Sequence, residues 1–437
     1  MTDAPLATGA GTEGGSLLAG LRIVEVSMLG PGLISTPLAD LGADVIKVEP
    51  PAGDYIRTMS WPIIEGTSML HLHISRGKRS VVLDLGNPHG RAVFLDLVKT
   101  ADAVVEAMRP GGLARRGLGF EQLQAVNPKI VMVTISGYGM TGPYRDLASH
   151  GIAYDAWAGT VAPVPGPEGF PTIPDHTSIG IAAGPLYGTA ALLAAVLRAR
   201  ETGSGCHLEV AQSDAAAAFD WMRIEGERAY LRPGSEVTGN PSDNYQRRQV
   251  GTGGMADAVR YQFYASADGY VLFMASEQKF WKNFCAAVGR DDLYEASPGE
   301  RLADHARGNI GLRRELAGIF KTRTSAAWVQ LGLDADVPLV PVNAPATIAA
   351  DPQYADRLPW APASRLGADE LPFPVRVVGE APPAAATRAP SVGQHTDQVL
   401  FEVLGYDARR VEELHASGAL GKEPPERAAN NVSAGGI

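Results

Sequence analysis

Short apolar runs at positions 21–27, 44–49, 80–85, 103–105 and 129–136 punctuate the first third of the chain, and helical signals fill the intervals between them. Asn87 followed by Pro88 reads as a helix N-cap and first helical residue. Phe94, Leu97 and Val98 then keep one face of that helix, and a further helix is expected near 121–125. Strand, helix and strand in steady alternation predict a parallel sheet covered by helices. The pattern continues with a long Ala-rich helix at 180–200, ended by the glycines 203 and 205, then a strand at 207–211 and a second helix at 212–230.

Beyond that point the composition shifts. Residues 232–256 are rich in Pro, Gly, Ser and Asn and read as a linker or mobile loop. A hairpin is expected over 261–275, turning at Asp268-Gly269. Helices at 279–288 and 312–321 suggest a smaller domain, with an extended return at 338–345 and closing helices at 396–404 and 408–416. A chain of 437 residues is too long for one simple core, so two lobes are expected. The expected layout is a disordered tail at 1–17, a large domain at 18–225, a small domain at 226–335, a return segment at 336–420 that completes the large domain, and a tail at 421–437.

A net charge of -10 argues against a general nucleic-acid binder, which needs a basic face. The two cysteines, Cys206 and Cys285, have no CxxC spacing, so a disulfide framework or zinc site is not expected and a cytoplasmic setting fits. His71 and His73 form a pair with no evident third ligand, so no metal site is expected there. The 181–196 run contains Gly184, Pro185 and Gly188 and reads as a buried helix rather than a membrane span.

Ordered blocks carry the most specific signal: LRIVEVSMLGPG, LADLGADVIKVEPPAGDYIR, SRGKRSVVLDLGNPHGRAVFLDLV, ADAVVEAMRPGGLARRGLGF and NPKIVMVTISGYGMTGPY. Later blocks agree: LRARETGSGCHLEVAQSDA, DVPLVPVNAPATIAADPQYADR and VGQHTDQVLFEVLGYDARRVEEL. Over about 18–420 the chain resembles the class III CoA-transferase family, which also holds formyl-CoA transferases, carnitine-CoA transferases and alpha-methylacyl-CoA racemases. The resemblance implies an α/β fold: a large parallel-sheet domain formed by both chain ends, with a second, smaller α+β domain, in an interlocked homodimer. It implies an acyl-CoA thioester and a carboxylic acid as substrates, no permanently bound cofactor and no metal, and neither nucleic acid nor membrane as partner.

Residue by residue, the resemblance implies a CoA site at Met28, Leu29, Arg76, Gly77, Lys78, Met108, Arg115, Ile135, Ser136, Gly137 and Tyr138. Formyl-CoA transferases carry Gln-Ala where this chain has Met28-Leu29, and Arg in place of Pro50, so adenine contacts are expected to differ. Lys78, Arg79 and Arg115 flank expected strands, where sheet-end loops build ligand crevices. Solvated surface is the alternative for each. The neighbourhoods of Trp61, Trp157 and Trp221 are read as core packing or an apolar acyl pocket.

Asp175, in PTIPDHTSIGIAAG, stands just before the long helix. As an N-cap it accepts helix amides, and the helix end keeps its carboxylate ionised. The resemblance implies that it is the nucleophile, forming an aspartyl-CoA thioester by way of mixed anhydrides. Gly251, Gly253 and Gly254 match a glycine loop that closes over the reacting centre, a linker being the alternative. His150 and Glu277 match positions used by the racemases, although those follow the His with Asp where this chain has Gly151. Three functions therefore stand: CoA transfer between carboxylic acids, racemisation of a 2-methylacyl-CoA by alpha-proton transfer, and a non-catalytic CoA-binding paralogue.

Overall fold

The computed structural model describes residues 16–60, 62–241, 244–300, 304–379 and 386–421. Most of both expected tails and Trp61 lie outside these residues. The chain divides into two compact units, one drawn from Met1–Phe219 and Leu358–Ile437 and the other from Asp220–Arg357.

Six parallel strands organise the first unit: β1 Arg22–Val26, β2 Asp44–Glu49, β3 Arg79–Val82, β4 Ala103–Glu106, β5 Val131–Ser136 and β6 His207–Ala211. Their spatial order is β6-β5-β4-β1-β2-β3. The apolar runs are continuous because both faces of the sheet are covered. Successive residues go to opposite sides. Val24, Ile46, Val81, Val104 and Met132 face α1 (Pro88–Thr100), α2 (Phe120–Val126) and the C-terminal helices, whose Val399, Leu400, Val411 and Leu414 complete that core. Ile23, Val45, Val105, Val133 and Ile135 face the other way.

That second face is closed by a long helix. After α3 (Ile152–Ala158), α4 (Ile179–Thr202) contributes Leu192, Ala195, Val196 and Ala199 to it. By length and mean hydropathy of 1.7, α4 would also pass for a membrane span. Asn87 caps α1 as expected, its side chain accepting from the His89 amide. The helix expected over 212–230 is instead two, α5 (Gln212–Phe219) and α6 (Trp221–Tyr230). Asp220 between them has ψ 27, so the helical run is broken there.

In the second unit, β7 (Tyr261–Ala265) and β8 (Tyr270–Met274) form the expected hairpin, and β9 (Leu339–Pro341) joins β8 antiparallel. Helices α7 (Gln278–Ala287), α8 (Ile310–Phe320) and α9 (Ser325–Ala335) pack on it through Trp281, Phe284, Phe320 and Trp328.

Candidate active site

Strand order reverses between β1 and β4, since β2 and β3 follow on one side and β5 and β6 on the other. In such sheets the loops beyond the carboxyl ends of the two central strands part and leave a crevice. Met28 and Leu29 follow β1, and Met108 follows β4, so three of the expected ligand positions stand at this switch point. Met28 is exposed. Leu29 has φ 60 and ψ -147, a backbone region that normally belongs to glycine, so the chain is strained at the mouth of the crevice.

Further segments converge on the same end of the sheet. Ser136, Gly137 and Tyr138 leave the end of β5, and the Ser136 hydroxyl accepts from the Gly139 amide at 3.0 Å. Ile135 is fully buried in the core, so any ligand contact it makes is through its backbone. A Cβ added to Gly137 would lie 2.2 Å from the Ser149 hydroxyl and 3.0 Å from the Tyr154 ring, so glycine permits this approach. Tyr138 also packs edge-on against Tyr144, Tyr154 and Trp157.

The start of α4 is held by its own glycines. A Cβ at Gly180 would meet Tyr154 Cβ at 2.7 Å, one at Gly184 would meet the Gln212 side chain at 3.0 Å, and one at Gly188 would meet Ile34 at 2.8 Å. Ile181, on the same turn, comes within 2.9 Å of the Cβ position of Gly30 and within 3.1 Å of that of Gly151. The first turn of α4 is thereby wedged between the loop carrying Leu29 and the segment carrying His150.

Asp175 is exposed, and among the described residues it enters no hydrogen bond or ion pair. The N-cap role expected of it is not borne out, because α4 begins four residues later with Ser178 at the cap position. The cap comes from elsewhere in the chain. Asp155, fully buried on α3, accepts from the amides of Ile179 at 2.9 Å and Gly180 at 3.0 Å. Its other oxygen, Oδ2, has no hydrogen-bond partner, and His176 Nε2, also without one, stands 3.9 Å away. No sequence pattern pointed to Asp155 or His176. The nearest signal is the pairing of a lone acid inside an apolar helix with a His beside Asp175.

Two of the expected CoA contacts need correction at their charged ends. Lys78 is buried, with Nζ 2.7 Å from Glu25 Oε2 and 2.8 Å from the Gly32 carbonyl oxygen. Lys47 bridges Glu25 and Asp54 at 3.1 Å each, and Ser35 donates to Glu25. Burial alone would raise the Glu25 pKa, but Lys78 and Lys47 outweigh it and hold it at about 2. Burial pushes Lys78 down to about 8 against the pull of Glu25. Arg76 is buried between Asp40 at 2.7 Å and Glu370 at 3.2 Å. Although Lys78 precedes β3, its ammonium reaches across to the carboxyl end of β1, where Glu25 and Gly32 enclose it. These cations are held by carboxylates within the fold, because a lone charge in that interior would be far more costly than a paired one. Gly77, with φ 72, turns the chain between them. Arg115 is exposed, and donates to the Pro110 carbonyl oxygen at 3.0 Å.

His71 and His73 lie on a helix, Met69–Ser75. Their rings are engaged by Arg57, Ser75 and Arg76, and no group of three metal-ligating side chains occurs among the described residues. In the second unit, Gly251, Gly253 and Gly254 form a compact 3-10 turn, Gly251–Met255, rather than an open loop. A Cβ at Gly254 would stand 2.6 Å from the Gln249 carbonyl oxygen, and Arg307 donates to the Gly254 carbonyl oxygen. Glu277 precedes α7, where its carboxylate accepts from Ser276.

Comparison with known proteins gives the family and the fold it shares. The family model for CoA-transferase family III matches residues 18–396. Human succinyl-CoA:glutarate CoA-transferase is 28% identical over 416 residues, covering 92% of this chain and 90% of that protein. Succinyl-CoA:mesaconate CoA-transferase of Haloarcula hispanica is 30% identical, covering 90% and 98%. Formyl-CoA:oxalate CoA-transferase of a Bradyrhizobium species is 28% identical, covering 94% and 99%. Among solved structures, Rv3272 from M. tuberculosis superposes with a TM-score of 0.69 at 25% identity, over 87% of this chain and 98% of that one. A CAIB/BAIF family protein from Brucella suis superposes at 0.67 with 26% identity, covering 89% and 99%.

Proposed function

The chain belongs to CoA-transferase family III, and from that premise we propose that it moves coenzyme A from an acyl-CoA thioester to a carboxylic acid through an aspartyl-CoA thioester on Asp175. The observation that carries this reading is the free carboxylate of Asp175, exposed ahead of a helix whose amides are capped by Asp155 instead. A nucleophile engaged as an N-cap would have to break those bonds to react. This one does not.

The steps balance without oxidant, reductant or net proton. Asp175 attacks the donor's thioester carbonyl; the C–S bond breaks and CoA leaves as thiolate, giving a mixed anhydride. The thiolate attacks the Asp175 carbonyl of that anhydride and the donor acid departs as carboxylate, leaving aspartyl-CoA. An acceptor carboxylate then attacks this thioester and releases the thiolate again. The thiolate finally takes the acceptor's acyl group and returns Asp175 as carboxylate. Each step exchanges one activated acyl bond for another, so positioning and the exclusion of water are what the protein must supply. In this reading Met28, Leu29, Met108, Arg115 and the 135–138 segment receive CoA, the glycine turn at 251–254 limits hydrolysis, and the active species is an interlocked homodimer.

Racemisation is set aside. The three sequence relatives named above are CoA-transferases, and Gly151 stands where the racemases have an acid. The test is trapping. Enzyme incubated with succinyl-CoA and hydroxylamine should carry a hydroxamate at Asp175, found by peptide mass spectrometry, and Asp175→Ala should lose CoA exchange by at least about 10³-fold. Full exchange in that variant would overturn the proposal. Light scattering that reports a monomer under turnover conditions would remove the dimer from it.

A further inference from the structure

Beside Asp175 lies an unusual pairing of buried polar atoms. Asp155 has no solvent exposure, and its Oδ1 accepts from Ile179 N, Gly180 N and the Thr160 hydroxyl. Its Oδ2 is equally buried and accepts from nothing. Opposite it, His176 Nε2 is buried and unpartnered at 3.9 Å, while His176 Nδ1 stands 3.2 Å from the Pro174 carbonyl oxygen. An unsatisfied buried carboxylate oxygen is costly, and a closure of about 1 Å to ordinary hydrogen-bond length would satisfy both orphans.

We propose that Asp155 and His176 are a positioning pair for the reacting carboxylate: one oxygen of Asp155 fixes the start of α4, and the other takes the Nε2–H of a His176 ring that carries a proton on each nitrogen, its Nδ1–H donating to the Pro174 carbonyl oxygen, and so fixes the residue next to Asp175. The loop 173–178 is otherwise held at its helical end and, ahead of Ile173, by the antiparallel pairing of Thr172 with Val164. With both oxygens engaged, α3 clamps it on either side of Thr177 and Ser178. Neither residue touches substrate in this scheme. They act by setting where the Asp175 backbone stands, and the second function of Asp155 explains why a carboxylate rather than a neutral capping residue occupies this buried site. The inference rests on Asp175 being the nucleophile.

Misplacement of a reacting group by about 1 Å costs on the order of 10²-fold in rate. His176→Ala should therefore lower kcat for CoA transfer about 10- to 100-fold while KM for the acyl-CoA donor stays within about twofold. His176→Gln, which returns an N–H near the Nε2 position, should recover activity to within about threefold of the parent, whereas His176→Asn, whose N–H falls at the Nδ1 position, should not. If His176→Ala fails to fold, the Gln and Asn variants decide alone. Equal activity of those two, or an unchanged kcat in His176→Ala, overturns the pair. Run alongside, Asp175→Ala separates the two proposals. Exchange surviving in Asp175→Ala means that the nucleophile is wrong. Exchange lost there but untouched in the His176 variants means that only the positioning pair is wrong.

Discussion

Glu25 Oε2 and Lys78 Nζ stand 2.7 Å apart with neither side chain exposed at all, and Lys47 reaches the other oxygen of the same carboxylate at 3.1 Å. One buried anion on β1 thus holds two buried cations, one from β2 and one from the residue that leads into β3.

Glu25→Gln should destabilise the first unit by about 3–5 kcal/mol, because it leaves two ammonium groups without their shared counter-charge. Urea denaturation followed by tryptophan fluorescence measures this. Lys78→Met should likewise weaken the fold but leave KM for the acyl-CoA donor within about twofold. A large rise in KM at unchanged stability would return Lys78 to the ligand site.

Acid should weaken the protein in two windows. Burial, then the Arg57 charge, pushes His71 from 6.5 down to about 4. Between those values the unfolded chain binds a proton that the folded chain does not, so stability falls as pH drops from 6.5 toward 4. Glu25 is held at about 2 rather than 4.5, so its contribution is complete above 4.5 and is lost as pH falls toward 2. Urea midpoints at pH 7 and pH 5 test the first window; His71→Gln should reduce the difference, and His73, which burial and then the Arg76 charge also push down to about 4, should supply part of the remainder. An equal midpoint at both pH values for the parent protein contradicts the assignment.

Gly180→Ala should destabilise although alanine is the better helix former. The gain in helix propensity is about 1 kcal/mol. The new Cβ, however, would sit 2.7 Å from Tyr154 Cβ and 3.2 Å from the Gln212 backbone oxygen, and such overpacking costs typically about 1–3 kcal/mol. Gly203, with nothing within 4 Å but φ 76, is the comparison: alanine there meets only the backbone penalty. Thermal melts of the two variants should show the larger loss, and a lower kcat, only in Gly180→Ala.

Arg115→Ala should raise KM for the acyl-CoA donor about tenfold with kcat little changed, the signature of a lost contact to a phosphorylated ligand. Raising salt should narrow the gap between variant and parent, since an exposed ionic contact is screened. An unchanged KM would confine Arg115 to its contact with the Pro110 carbonyl oxygen.

The six sheet strands, the cap at Asn87 and the hairpin at Asp268-Gly269 were all legible in the chain, because each depends on neighbours a few residues apart. Apolar runs buried on two faces, a side-chain oxygen beside a helix start and a turn dipeptide are local facts. The family resemblance was legible for the same reason, being a matter of ordered blocks. What the chain could not reveal is where polar groups find partners far away in sequence. Asp175 precedes a helix and so reads as its cap, but the geometry gives that task to Asp155, 24 residues before Ile179. Lys78 and Arg76 read as cations offered to a ligand, yet Glu25, Asp40 and Glu370 enclose them. A charge exposed in an extended chain and a charge buried against a distant carboxylate have the same local sequence. Only folding brings the second partner within 3 or 4 Å and so determines which charges are enclosed by counter-charges and which, like Asp175, stay exposed.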